Sequence, residues 1–437
     1  MVDSAPLFTF RRLFGALVVF STLRFLFYGW HDCQILEPLY TFPFEEFDFL
    51  PRPNKLGTFA LFSGMILGGL SIMTGKLFRV GAALFFLCFT YVEVLDKTNY
   101  LNHYYFVSLL SLLLLFSNAH KENSKLPAFQ LNLFRVMIGI VYFYAGVAKL
   151  NSDWLFNAQP LALWLPVHSD LPIIGELFKY KATAFVFSWA GALFDLSAPF
   201  VLLSRFRSWF YPIVVVFHVL TWILFPIGIF PWVMICCATV FFPADTHRKF
   251  WDLFKGIKLN LQESNLQIPP NFKLQALAVI FISIQIVFPF RYLMYPGNLF
   301  WHETGFRFGW RVMLIEKPGY AKFFTKNTKG EEQEIVLDNW LTPNQIKMVS
   351  SQPDMIVQFA GIVKNHYAER GEEVKVRAEV WAALNGRRSQ LLIDPFWDLS
   401  EIENSWAIRD YVLPLDSIIS PLKYGSIEPI LRSNSNW

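Results

Sequence analysis

The side chain best placed to do chemistry is Lys149, near the far end of a helix-length apolar run, Arg135–Trp154 (RVMIGIVYFYAGVAKLNSDW). An ammonium at the centre of a membrane helix costs about 2.5–3.5 kcal/mol. Burial in a low dielectric favours the neutral amine, which is a base. Gly146, Ala145 and Tyr142, three, four and seven residues back, share its helical face. Small residues there let a neighbouring helix or a flat ligand approach. The alternative is a lysine that snorkels to the headgroups as an anchor. Two histidines stand in comparable settings: His103, after Asp96–Asn102 (DKTNYLN), and His218, followed by Thr221 and Trp222. Ionisable groups in membrane segments usually face the bundle interior or a cavity. A neutral lysine beside histidine donors is what proton abstraction from a weak acid requires, although either histidine alone also fits a packing role. Asp195, in Phe194-Asp195-Leu196-Ser197, lies within an apolar run and must be neutral or paired. Lys149 and the histidines are candidate partners, and a structural hydrogen bond is the simpler account.

Composition says what elements hold these groups. Of 437 residues, 54% are hydrophobic and 16% charged, against roughly 25% charged in ordinary soluble proteins. The chain reads as a polytopic protein of the lipid bilayer with a soluble part attached. A net charge of +4, distributed in short clusters, argues against a nucleic-acid partner. The apolar runs predict nine helical spans: Arg11–Trp30, Leu56–Thr74, Val80–Leu95, His103–Phe116, Phe129–Leu150, Ala182–Leu203, Phe210–Phe225, Ile227–Phe242 and Lys273–Leu293. Several are shorter than the ~20 residues a perpendicular span needs, so some must tilt or be partly buried in protein. Basic clusters (Arg11/Arg12, Lys76/Arg79, Lys121/Lys125, Arg205/Arg207, His247–Lys258) alternate with acidic ones (Glu37–Asp48, Asp96, Asp153, Asp170). The positive-inside rule then predicts a cytoplasmic N-terminus and an outer C-terminus. The first run is long and lacks a small-residue cleavage site, so it reads as a span. Cys33, Cys88, Cys236 and Cys237 show neither metal-ligand nor disulfide spacing. No Gly-rich phosphate loop, HExxH or GxSxG occurs, leaving nucleotide, zinc-protease and serine-hydrolase chemistry without support.

From about Pro296 the composition changes, which divides the chain into a transmembrane part, 1–295, and an extramembrane part, 296–437. Val374, Val376, Ala378 and Val380 alternate with Lys375, Arg377, Glu379 and Trp381 as in a half-buried strand. Gln333–Leu337, Met355–Ile362 and Gln390–Ile393 are further strand candidates, with turns at Asn327–Gly330 and Asn385-Gly386. The expected fold is an α-helical membrane bundle carrying a β-rich, sandwich-like outer domain of roughly 140 residues, enough for one core. The tail after Ser420 is expected to be irregular. An exposed strand edge could pair with an extended peptide, and Arg377, Arg387 and Arg388 could receive its glutamates, unless they simply solvate a strand face.

Several stretches resemble the vitamin K-dependent γ-glutamyl carboxylase family and the related bacterial HTTM proteins. Val141–Trp154 (VYFYAGVAKLNSDW) is similar to the family's lysine-bearing segment, and Leu95–Tyr105 (LDKTNYLNHYY) to its DKT…NH segment. Phe194–Leu203 (FDLSAPFVLL) is similar to its DLS helix, and Phe217–Met234 (FHVLTWILFPIGIFPWVM) to its FH…IGMFPYVM stretch. Val380–Leu399 and Asn404–Leu415 resemble its extramembrane β domain. The likeness covers nearly the whole chain, in order.

The resemblance implies an enzyme. In that family a buried lysine amine takes a proton from vitamin K hydroquinone (phylloquinone or a menaquinone), and O2 adds. The epoxide-forming collapse yields a base that removes a γ-hydrogen from a peptidyl glutamate, and the carbanion takes up CO2. The family's lysine falls on Lys149, its histidines on His103 and His218, and the asparagine before the first histidine on Asn102. Tyr142, on the lysine's face, joins Asn102 as a quinone contact. There are departures. Ala148 stands where the animal enzyme has a second lysine, and no cysteine follows Cys237 to bridge membrane and soluble parts. This compact pattern is more like a bacterial homologue of a bacterial cell membrane. The alternatives are an epoxidase of the same fold that does not carboxylate protein, or a non-catalytic binder or transporter of small hydrophobic molecules.

Overall fold

The computed structural model describes residues 1–121, 124–253, 267–403, 406–416 and 420–421. All nine apolar runs are helical: α1 (Ala5–Phe27), α2 (Lys55–Thr74), α3 (Phe78–Leu95), α4 (Asn102–Phe116), α5 (Ala128–Ala148), α6 (Lys181–Leu203), α7 (Arg207–Leu224), α8 (Phe230–Ala238) and α9 (Phe272–Val287). Six helices are long and apolar enough by themselves to cross a membrane: α2, α3, α5, α6, α7 and α9 with its extension to Met294. The other three differ for visible reasons. Arg11, Arg12 and Arg24 interrupt α1, while Asn102–Phe116 and Phe230–Phe241 are short. The protein is therefore a membrane protein in which six of the nine expected spans meet the length and apolarity of a full crossing.

Close backbone approach organises the first three helices. A Cβ on Gly68 of α2 would lie 2.7 Å from the Gly81 carbonyl oxygen of α3, so only a hydrogen fits there. The buried Arg11 of α1 donates to the Ile72 and Met73 carbonyls at the end of α2, at 2.5 and 3.0 Å. Those carbonyls lack intrahelical partners and carry the negative end of the helix dipole, which a guanidinium satisfies.

The C-terminal part is a four-stranded antiparallel sheet built from β1 (Gly319–Asn327), β2 (Glu332–Ile335), β3 (Val374–Ala382) and β4 (Gln390–Leu391), in the order β2-β1-β3-β4. Phe323 pairs with Ala378 and Tyr320 with Trp381 across β1 and β3. The alternation expected in β3 holds: Val374, Val376, Ala378 and Val380 are buried, while Lys375 and Trp381 are exposed. Two expectations are corrected. Met355–Ile362 lies inside a helix, Pro353–Ala368, which we label α11, after α10 at Pro343–Val349. Its buried residues Met355, Ile356, Phe359, Ala360 and Val363 recur every three or four positions, a helical period that a short apolar window does not distinguish from a strand. Because α11 covers the sheet, with Phe359 edge-on to Phe323 at 4.8 Å, the domain is one sheet against helices, with no second stacked sheet among the described residues. The expected irregular tail after Ser420 lies outside the described residues except for Pro421.

Buried charge pairs lock this domain onto the loops between helices. Arg387 binds Asp153 through both carboxylate oxygens, at 2.6 and 2.7 Å, and Asn385 adds a bond at 3.1 Å. Lys97, before α4, reaches Glu45 at 2.6 Å and Asp354 of α11 at 3.5 Å, and Arg307 donates to the same aspartate at 2.5 Å. Burial works against a charged Asp354, yet Arg307 and then Lys97 hold its carboxyl well below the usual carboxylate range.

Candidate functional site

Three helices each present one face to a common cavity. On α5 and its cap these are Tyr142, Ala145 and Lys149; on α6, Phe187, Gly191 and Asp195; on α7 and its cap, His218, Thr221 and Phe225. Each set recurs every three or four residues, so each is a single helical stripe. Phe230 and Met234 of α8 add to the wall, and Val312 and Met313, from the segment leading into the sheet domain, close it. The space amounts to about 770 Å³ including its open end. Its lining is mostly apolar, with Lys149, Asp195, His218, Tyr142 and Thr221 as polar groups on the wall.

Lys149 sits where it does because α5 stops at Ala148 and leaves it as the C-terminal cap. Asn151 then caps the short helix Ser152–Asn157 that follows, accepting from the Trp154 amide. The lysine Nζ lies 2.7 Å from Asp195 Oδ2 and 3.2 Å from the Ala145 carbonyl oxygen, with the Trp154 ring centre 5.2 Å away. Lysine and aspartate side chains are each 8% exposed. The indole is held in turn by its Nε1 bond to the Ser188 carbonyl at 2.7 Å. Gly146 permits this approach of α5 to α6: a Cβ there would lie 2.7 Å from Leu196 Cγ and 2.8 Å from its backbone nitrogen. Pro199 has no amide hydrogen for the Asp195 carbonyl four residues earlier, so α6 loses a backbone bond beside the pair.

The expected site residues divide. Lys149, His218 and Tyr142 meet in the cavity, with the Tyr142 hydroxyl 2.8 Å from His218 Nε2. His103 and Asn102 do not line it. His103 is buried behind Phe230, ring centres 5.2 Å apart, and its Nε2 has no hydrogen-bond partner among the described residues. Asn102 Nδ2 donates to the Arg311 carbonyl at 2.8 Å and its Oδ1 accepts from Tyr100 at 3.1 Å. It thereby fixes the backbone just before Val312 and Met313. Asp195 joins the site as the partner of Lys149, a pairing that sequence left open; its signal was a carboxylate within an apolar run. Val312 and Met313 had no signal, because they belong to a segment with no helical or strand period. Of the arginines considered as glutamate receivers, Arg377 pairs with Glu332 and with Glu379 and Arg387 with Asp153, while Arg388 is exposed.

Residues 1–246, more than half the chain and all of the helices that line the cavity, match the HTTM domain family. The chain belongs to the HTTM family. Residues 271–417 of this HTTM protein match the lumenal domain of vitamin K-dependent gamma-carboxylase, which makes it a gamma-carboxylase-family member with an extracytoplasmic C-terminal part. The Lys149 cavity of the HTTM protein is thus closed by Val312 and Met313 of the lumenal match. No solved structure matches it.

Proposed function

We propose that this HTTM protein is a vitamin K-dependent γ-glutamyl carboxylase, with its N-terminus in the cytoplasm and its lumenal-type domain outside, in a bacterial cell membrane. The observation that carries the reading is a buried lysine–aspartate pair on the wall of a largely apolar cavity. That combination fits a flat apolar quinol, whose rings need apolar walls and whose hydroxyls need polar partners. When bound, the hydroquinone supplies the electrons that reduce O2 and, on conversion to the epoxide, the base that removes the γ-hydrogen of a peptidyl glutamate before CO2 adds. The protein's part is proton handling and exclusion of water. Lys149 Nζ and Asp195 Oδ2 lie 2.7 Å apart, within range for a proton to pass between them. With that proton on the carboxyl, the amine has a lone pair for a hydroxyl hydrogen, and Asp195 as a carboxylate stabilises the ammonium that results. Tyr142 and His218, bonded to each other, offer hydrogen bonds to a developing oxygen anion. The phenylalanine walls exclude water, which would protonate a carbanion. Asn102 acts through backbone position at Arg311, and His103 through its contact with Phe230.

The test is incubation of the purified protein with reduced vitamin K, O2, labelled bicarbonate and a glutamate-containing peptide, with epoxide and fixed label assayed separately. Both products should form, and Lys149→Met should abolish both. A second reading, epoxidation without protein carboxylation, is favoured by the engagement of Arg377 and Arg387 in internal ion pairs; epoxide without label would select it. Neither product from folded protein would indicate a non-catalytic binder or transporter.

A further inference from the structure

The indole beside Lys149 is held from two directions. On the α6 side, the Trp154 carbonyl accepts from the Ser188 hydroxyl at 2.5 Å, in return for the Nε1 bond to the Ser188 carbonyl. A Cβ on Gly191 would meet the indole Cζ2 at 3.6 Å, an ordinary van der Waals contact. Ser188, Gly191 and Asp195 follow one another at three and four positions, on one face of α6. That single stripe therefore carries both the grip on the indole and the carboxylate that binds Lys149.

On the other side, consecutive residues point opposite ways: Trp154 faces the cavity and Asp153 the sheet domain. Asp153 takes bonds there from both Nη atoms of Arg387 and from Asn385 Nδ2. Asn385 also accepts from the Glu316 amide at 2.9 Å and donates to the Leu314 carbonyl at 3.3 Å, which ties its turn to the segment carrying Val312 and Met313. Asn385 and Gly386 have φ of 48° and 75°, a left-handed conformation that these two residue types tolerate best. The Arg387 and Asp153 side chains are 12% and 7% exposed. The helix between these two grips, Ser152–Asn157, has six residues, and isolated helices shorter than about 12–15 residues are marginal in water. Its orientation is therefore imposed by what holds it on each side.

We propose that Asn385 and Arg387 are positioning residues for Lys149: by gripping Asp153 they set the Trp154 indole against the amine, so that the sheet domain completes the enclosure of the reactive group. The role of that amine rests on the carboxylase reading. An indole face attracts an ammonium, its bulk keeps water away, and a misplacement of about 1 Å is enough to weaken catalysis.

The full chain in nanodiscs is treated with a membrane-permeant isothiocyanate, and modification of each lysine is followed by mass spectrometry, alongside epoxide formation. Lys322, with 37% of its side chain exposed, is the open reference, and Lys317, 3% exposed and paired with Glu303, the buried one. In wild type Lys149 should react about tenfold or more slowly than Lys322. The variant Asp153→Asn/Arg387→Gln removes both charges, so neither is stranded. It should raise the Lys149 rate about tenfold and leave Lys317 within about twofold. Trp154→Leu should do the same, and adding it to the neutral pair should contribute less than about a further twofold, because both act through one contact. Arg387→Lys and Trp154→Phe should each retain part of the protection, and epoxide formation should fall in the same order of variants. Lys149 as reactive as Lys322 in wild type overturns the proposal whatever the variants do. So does an unchanged Lys149 rate in the neutral-pair variant, an equal rise at Lys149 and Lys317, which marks general loosening, or a combined effect equal to the product of the two. Junction-dependent protection of Lys149 without epoxide or label would leave this proposal standing and remove the carboxylase reading. Both products without junction-dependent protection would do the reverse.

Discussion

The pairing of Lys149 with Asp195 can be tested by a double-mutant cycle. Asp195→Asn leaves an ammonium 8% exposed without its counter-ion, and Lys149→Met leaves a carboxylate equally enclosed. Removing one member of a buried pair typically costs about 3–5 kcal/mol, because the survivor is stranded away from water. Removing both leaves no charge to strand, and replacement of a buried pair by neutral groups is often close to neutral. The two single variants should therefore each lose about 3–5 kcal/mol, and the double variant should lie at least about 2 kcal/mol above their sum. Thermal unfolding in detergent, followed by tryptophan fluorescence at two scan rates, reads this; Trp154 beside the lysine reports locally. Additivity within about 0.5 kcal/mol would mean that the groups do not interact. Wild-type stability in both single variants would mean that the lysine reaches the headgroups, and the account of the cavity would fail with it.

Further outcomes follow from other contacts. Gly146→Leu should force α5 from α6, since even a Cβ meets Leu196 at 2.7 Å; we expect loss of epoxide formation and about 1–3 kcal/mol of stability, and full activity would refute the close-packing argument. Asp153→Asn strands Arg387 at the domain junction and should cost about 3–5 kcal/mol, with faster proteolysis between the two parts; an unchanged cleavage rate would show that the pair does not hold the domain. His302 is pushed down to about 4 by burial, and further by Arg409 and Lys317. Held neutral in the fold, it binds fewer protons than in the unfolded chain between there and about 6.5, so its contribution is lost as pH falls across that window. Asp354 acts lower: its depressed carboxyl stabilises the fold above about 3.9, and that stability is lost as pH falls toward the folded value. Melting temperatures from pH 7 to 4.5 should therefore fall less steeply for His302→Gln than for wild type, and equal slopes would contradict the assignment.

Sequence alone determined the apolar helices, the lysine among them and the alternating strand β3, because each is written in a local period that burial imposes residue by residue. It also determined the carriers of chemistry, since a lysine or carboxylate in an apolar run is costly wherever the helix goes. It did not determine partners. Lys149 and Asp195 are 46 positions apart, and their meeting depends on how closely α5 and α6 approach at Gly146. Asn102 and His103 lie beside the lysine in any motif-based reading, yet the α4–α8 packing turns His103 onto Phe230, and Asn102 fixes the Arg311 backbone. The strand expected at Met355–Ile362 failed for a related reason: a short apolar window fits both periods, and only the sheet it covers selects the helix. Contacts between distant segments depend on backbone approach in three dimensions. The wall made by Val312 and Met313 was therefore decided by the tertiary structure.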